Sequence, residues 1–310
     1  MPLTIVMYHY VRDLARSRYP LIKGRDIAEF RGQLDHIARH HHVVTTEAVV
    51  EAVKGGEPLP ANAAWLTFDD GYLEHFTQVF PLLHERGWQG AFFPPVKTVV
   101  DRELLDVNMV HFILAAQPDP TPVIAAIKAY VDTRQGDGIA PFEAYWREFA
   151  QAGRFDAAEV IFIKRVLQHA LPETPRKALC RQLFRSFVSV DPAAFAQELY
   201  MSVDQLRMMV RCGMTVGGHG VNHYWLNRLS PAAQEAEVDA SRAFLGSLGV
   251  AAKDWVMCYP YGAHDDSLRA LLARKDCAIG LTTRVAVAEI GVDAPLMLPR
   301  LDTNDLPLTP

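Results

Sequence analysis

Seven short apolar runs, at positions 3–8, 64–68, 90–93, 214–216, 255–259, 278–282 and 296–298, recur between amphipathic stretches, and this alternation constrains the fold more than any other feature of the chain. Each run is too short for a stable helix and suits a buried strand. Between the first two runs, Ile27, Phe30, Leu34 and Ile37 recur at helical spacing behind Asp26, whose carboxylate fits an N-cap. Strand followed by helix, repeated, builds a parallel sheet, and seven such units in 310 residues predict an α/β barrel rather than an open doubly wound sheet.

The alternation stops between residues 104 and 207. Helical stretches at 122–131, 141–150 and 157–170 follow one another there, punctuated by Pro and Gly. The expected organisation is a barrel of residues 1–103 and 208–310, with a helical insertion, 104–207, packed on it, because no repeat or flexible linker separates the two. The insertion leaves after Phe93-Pro94 and rejoins before the run leading to His219. It is therefore expected beside the barrel mouth, or else as an oligomerisation surface.

Polar residues of catalytic type follow three of the runs: His9, the pair Asp69 and Asp70, and His219. In an α/β barrel the C-terminal strand ends open onto one face, so residues distant in sequence converge there. His219 and His223 are four apart, a spacing that on one helical turn directs both imidazoles to the same side, as two ligands of one divalent metal require. Gly217 and Gly218 before them permit close backbone approach. Asp69 and Asp70 read either as a turn with a helix cap or as two carboxylates with separate tasks, one binding metal and its neighbour accepting a proton from water.

Charge narrows the partner. Lys plus Arg number 31 against 36 Asp plus Glu, a net −5, so no broad basic field exists to collect nucleic acid or anionic lipid, and a small molecule or glycan fits better. Cys180, Cys212, Cys258 and Cys277 form no CxxC pair and read as buried free thiols rather than a disulfide scaffold or thiolate zinc site. No run approaches the ~20 apolar residues of a membrane span, and positions 1–11 lack a basic leader, so the expectation is a soluble protein of the reducing cytoplasm. His40, His41 and His42 end a helix, where cations suit the dipole. His264, Asp265 and Asp266 read as a turn and cap, with His264 close enough to the motifs to touch substrate.

Thr67-Phe68-Asp69-Asp70-Gly71-Tyr72 resembles the TFDDGY signature of the polysaccharide deacetylase family (carbohydrate esterase family 4), and the segment from His219 to His223 resembles its histidine motif. Ala91-Phe92-Phe93 and Tyr259-Pro260-Tyr261-Gly262 are similar to further family patterns, in family order. The resemblance implies a distorted (β/α)7-type barrel and one divalent metal, zinc first with cobalt, nickel or iron as alternatives. It makes Asp70, His219 and His223 the ligands, Asp69 the general base and Tyr72 the donor of a backbone N–H to the oxyanion. Tyr261 and His264 would contact substrate.

Three departures accompany it. Gly220 stands where the family usually carries Ser or Thr, and Cys258 where many members carry an Arg that partners the base, a part for which Arg300 is the candidate. The C-terminal Leu-x-His that supplies the general acid is absent, whereas Met7-Tyr8-His9 resembles that motif in circularly permuted members, so His9 takes its place. His9 also ends a strand on the same rim, and imidazole can deliver a proton near neutral pH. The activity implied is removal of N-acetyl groups from a sugar of a bacterial surface polysaccharide or its precursor. The rivals are an amidohydrolase or deformylase acting on a small non-sugar amide, and a glycan-binding protein without catalysis.

Overall fold

Six of the seven runs fold as strands in this computed structural model, which describes residues 1–308 apart from positions 135 and 137. They are β1 (Pro2–Tyr8), β2 (Ala63–Asp69), β3 (Ala91–Phe93), β4 (Thr215–Val216), β5 (Trp255–Cys258) and β6 (Cys277–Leu281). Every residue of β2 is buried, which is why its sequence is a continuous run without polar alternation. The seventh run behaves differently. Pro295–Met297 is a 3-10 turn, and the strand at this point of the ring is the short β7 (Leu301–Asp302), entered through Arg300. Three apolar residues behind a proline carry no periodicity that separates strand from turn.

Among these seven strands, five pairs are parallel: β1 with β2, β2 with β3, β3 with β4, β5 with β6, and β7 with β1. Leu3 lies opposite Ala63 and Tyr8 opposite Phe68. The ring is completed by two single parallel bridges, Gly218 with Met257 and Leu281 with Leu298, rather than by full ladders. A barrel joined in two places by one bridge each is necessarily distorted, yet its parallel strands still bring their C-terminal ends to one rim.

The helix expected behind Asp26 runs Ile27–His40. Asp26 and Glu29 form a reciprocal capping box, and Phe30, Leu34 and Ile37 face the core.

By contacts the chain divides into two units, one of Met1–Asp13, Gly24–Arg102 and Leu199–Pro310, the other of Leu14–Lys23 and Glu103–Glu198. The first holds the barrel. The second contains helices Asp106–Ala116, Thr121–Asp132, Phe142–Phe149, Ala158–Arg165 and Glu173–Phe187. Two boundaries differ from the sequence reading. Segment 14–23, read as barrel, joins the helices because Tyr19 packs edge-on against Phe112 and Phe195 at 5.2 and 5.8 Å. Residues 199–207, read as insertion, belong with the barrel, where the Met201 N–H donates to the Gly71 carbonyl at 3.0 Å. Among the described residues, no helix is long and apolar enough to cross a membrane.

Candidate active site

At the end of β2 the backbone turns through two consecutive left-handed residues, Asp70 (φ 73°) and Gly71 (φ 71°). Aspartate tolerates this region better than most residues, and glycine occupies it freely. A Cβ on Gly71 would also lie 2.7 Å from the Cβ of Pro94, so position 71 excludes any side chain. The turn sends the two neighbouring carboxylates to different partners.

Asp70 meets the histidines. Its Oδ1 lies 3.4 Å from His219 Nε2 and 3.3 Å from His223 Nε2, and all three side chains are buried. The histidines do not reach it from a helical turn, as their spacing had suggested. Residues 219–223 form a loop with left-handed backbone at Gly220 (φ 69°) and His223 (φ 55°), and the rings converge at 4.8 Å because the loop doubles back. His219 Nδ1 lies 2.7 Å from the Cys258 carbonyl, which can only accept, so Nδ1 carries a proton and Nε2 is the nitrogen turned toward Asp70, where a cation would have to displace any second proton.

Asp70 Oδ2 accepts a 2.5 Å hydrogen bond from the Tyr72 hydroxyl, while Oδ1 is buried with no hydrogen-bond donor. A buried, unsatisfied carboxylate oxygen facing two imidazole nitrogens is the donor set of a divalent cation, and one oxygen and two nitrogens suit zinc and its neighbours. Burial opposes ionisation of Asp70, yet the two imidazoles hold its carboxyl well below the usual range.

Asp69 meets Arg300. Its two oxygens accept a bidentate pair, from Nη1 at 2.9 Å and Nη2 at 2.8 Å. Arg300 also donates through Nε to the Thr282 carbonyl at 2.9 Å, through Nη1 to Thr67 Oγ1 at 3.2 Å and through Nη2 to Cys258 Sγ at 3.1 Å. All five guanidinium donors are thus used, as a fully buried arginine requires. Burial pushes the Asp69 carboxyl upward, but the Arg300 charge and hydrogen bonds outweigh it and bring it down to about 2. Cys258 adds a thiol contact to Asp69 Oδ2 at 3.4 Å. The arginine missing at position 258 is therefore supplied by Arg300, just before β7, whose guanidinium also packs against the Cys258 thiol.

His9 Nε2 stands 3.9 Å from Asp69 Oδ2, and with 39% of its side chain exposed against 2% for Asp69 it is the solvent-facing member of the pair. Behind it, His75 Nε2 donates to the His9 carbonyl at 2.7 Å. His75 is wholly buried among Phe68, Tyr72 and Phe92, and burial pushes its pKa down to about 4, so it is a neutral donor at working pH. His75 has no signature in the sequence, because a lone histidine inside a helical pattern carries no signal of a partner 66 residues away.

Tyr72 enters differently from its implied backbone role: its side chain does the visible work, donating to Asp70 with its ring stacked on Tyr10 at 4.1 Å. Tyr261, in the left-handed turn Pro260–Gly262, lays its ring 4.6 Å from His223 and stacks on Trp225 at 4.7 Å. His264 is turned to other neighbours, its ring 5.1 Å from Tyr259 and Nδ1 3.1 Å from Arg269.

Comparison with known proteins agrees with this arrangement. The profile of the family described as Polysaccharide deacetylase matches residues 190–279, the stretch that holds both histidines and Cys258. Over 97 residues the chain is 47% identical to the poly-β-1,6-N-acetyl-D-glucosamine N-deacetylase of Escherichia coli (strain K12), a match spanning 31% of this chain and 14% of that protein. Two solved structures are similar in fold across nearly the whole chain. IcaB from Ammonifex degensii has a TM-score of 0.57 at 20% identity, covering 97% of this chain and 91% of its own. The Streptococcus pyogenes deacetylase PplD, in complex with acetate, has the same TM-score at 16% identity, covering 97% and 92%. The chain is thus similar over residues 190–279 to the polysaccharide deacetylase family, shares its fold with solved deacetylases, and carries a buried Asp-His-His cluster.

Proposed function

We propose that the protein hydrolyses the acetamido group of N-acetylated amino-sugar residues in a surface polysaccharide of the poly-β-1,6-N-acetylglucosamine type or its precursor, releasing acetate and leaving the free amine. The observation that carries this reading is the division of labour between two adjacent carboxylates: Asp70 faces two oriented imidazoles, while Asp69 is held ionised by Arg300 beside a solvent-facing histidine. The relative from Escherichia coli is named for this substrate, and the Streptococcus pyogenes deacetylase was solved with acetate, the product expected here.

A divalent cation, zinc by preference, held by Asp70, His219 and His223, supplies when bound an electrophile for the amide oxygen and a lowered pKa for water. Asp69 accepts the proton of the attacking water, and the Arg300 pair keeps its carboxylate charged and fixed for that purpose. The resemblance assigns the second oxyanion contact to the Tyr72 N–H. As the C–N bond breaks, the amine nitrogen needs a proton, and His9 at the open side of Asp69 delivers it.

The test is an assay of acetate and free amine on β-1,6-linked N-acetylglucosamine oligomers, alongside formate and ammonia release from small amides. Acetate with stoichiometric free amine is expected. Formate or ammonia release alone, or binding of the oligomer without turnover, overturns the reading. Asp69→Asn is expected to keep its Zn2+ and lose roughly 10²-fold or more in turnover, since an amide cannot accept the proton. His9→Ala should keep Zn2+ as well, but lose turnover together with the alkaline limb of the pH–rate profile. An unchanged alkaline limb in that variant assigns the proton delivery elsewhere.

A further inference from the structure

The two histidine ligands are held in unequal ways. His219 is locked through Nδ1 to the Cys258 carbonyl, whereas His223 Nδ1 is buried with no hydrogen-bond partner among the described residues. The aim of His223 is therefore set by ring packing against His219 and Tyr261 and by its own backbone, which is left-handed, at φ 55°.

The loop from 219 to 223 is gripped on both sides. The carbonyls of Gly220 and Val221 accept from the N–H groups of Val96 and Lys97, both at 3.1 Å, in the first turn of helix Val96–Val99. From the opposite side comes Glu237, in helix Pro231–Ser247 and only 7% exposed. Its Oε2 accepts from the N–H groups of Val221 at 2.7 Å and Asn222 at 3.2 Å, and its Oε1 accepts from Asn222 Nδ2 at 2.5 Å. Lys97 Nζ donates in turn to Asn222 Oδ1 at 3.3 Å.

We propose that Glu237 is a positioning residue that sets the coordination geometry of His223 by clamping the 220–222 backbone, a proposal that rests on the cation reading above. A buried carboxylate is costly unless several donors converge on it, and three N–H groups of one five-residue loop do so here. Gly220 belongs to the same device. At φ 69° it is in the region that favours glycine, and a Cβ there would sit 3.1 Å from Glu237 Oε2, pressing the carboxylate off the two amides it binds. The glycine at a position where the family resemblance leads one to expect Ser or Thr is thereby accounted for. Groups that orient metal ligands through hydrogen bonds typically change metal affinity by one to two orders of magnitude when removed.

The test measures Zn2+ affinity by competition with a chromophoric chelator, and the visible spectrum of the Co2+-loaded protein, for the full chain and for Glu237→Gln and Glu237→Ala. Thermal melting selects a temperature at which each is folded. Glu237→Ala should bind Zn2+ about 10- to 100-fold more weakly and shift the Co2+ ligand-field bands. Glu237→Gln should fall between, because its single carbonyl oxygen can still serve the two backbone N–H groups while its amide opposes Asn222 Nδ2. Should Glu237→Ala fail to fold, the Gln variant decides. Wild-type protein binding one Zn2+ with either folded variant unchanged in affinity and spectrum overturns the clamp, since a role in stability alone lowers the melting temperature without moving either readout. Failure of the wild-type chain itself to bind Zn2+ is a separate result, and it overturns the cation reading beneath the proposal.

Discussion

Zn2+ binding and acetate release are expected to disappear together in His219→Ala and in His223→Ala. Among the described residues, Asp70, His219 and His223 converge on the candidate cation position, and two donors do not hold a divalent ion tightly in competition with water. His223→Ala is the cleaner of the two, because His223 Nδ1 supports nothing else, whereas removing His219 also frees the carbonyl of Cys258, whose thiol contacts Asp69. Metal analysis after dialysis against a weak chelator reads the outcome, and full occupancy in either variant removes that histidine from the ligand set. A pH dependence follows as well. Burial alone would lower the pKa of His219, but Cys258 and the carboxylates of Asp70 and Asp69 hold it well above the ordinary histidine value, so a proton competes with the cation for Nε2. Zn2+ affinity should fall by about tenfold per pH unit below that pKa for the one proton displaced.

Arg300→Met should combine the largest loss of stability with the loss of neutral-pH activity. Removing one partner of a buried ion pair leaves the other charge uncompensated, at a cost of about 3–5 kcal/mol. Asp69 then feels burial without its main opposing charge, so its carboxyl rises and is protonated where the wild-type base is ionised. The acid limb of the pH–rate profile should therefore move to higher pH. Stability should respond in the opposite sense. In the wild-type protein the Asp69 carboxyl sits at about 2, below its unfolded value of ~3.9, so its stabilisation, on the order of 2 kcal/mol, is fully present above pH ~4 and lost as pH falls through about 2. The stability gap between wild type and Arg300→Met, measured by urea denaturation, should thus narrow on acidification. A gap that stays constant from pH 7 to pH 2.5 shows that the pair is not what the substitution removed. Adding Asp69→Leu to Arg300→Met should recover stability without activity, because an apolar pair no longer strands a buried charge.

The parts of this site that were legible in the sequence are local. Asp69-Asp70-Gly71 announces a strand ending in a tight turn, because glycine and aspartate accept the left-handed backbone that such a turn needs, and the turn alone separates the two carboxylates. His9 and His219 were placed on one rim by parallel strand order, and the ring of β1 to β7 does bring them together. The spacing of His219 and His223 was read correctly as convergence but through the wrong geometry: four residues match a helical turn, and equally a loop doubled back at two left-handed positions. Arg300 was the candidate because the family resemblance puts an arginine where Cys258 stands and Arg300 follows the last apolar run. Its five-fold saturation was invisible, because its partners come from segments as far as 233 positions away.

What the chain determined by itself is therefore the α/β class, the position of the strand ends and the identity of the ligand and base candidates, all of which rest on residue type and short-range periodicity. Tertiary structure alone decided how those candidates are held. The ring is joined at Gly218–Met257 and Leu281–Leu298 by single bridges that no pattern marks, His75 and Tyr72 brace His9 and Asp70, and Glu237 grips the histidine loop from a helix that begins further along the chain, at Pro231. The reason is physical. Backbone conformation is set by neighbours in sequence, but a buried charge or an unsatisfied donor is compensated by whatever the fold places beside it, and that neighbour is chosen by packing rather than by proximity along the chain.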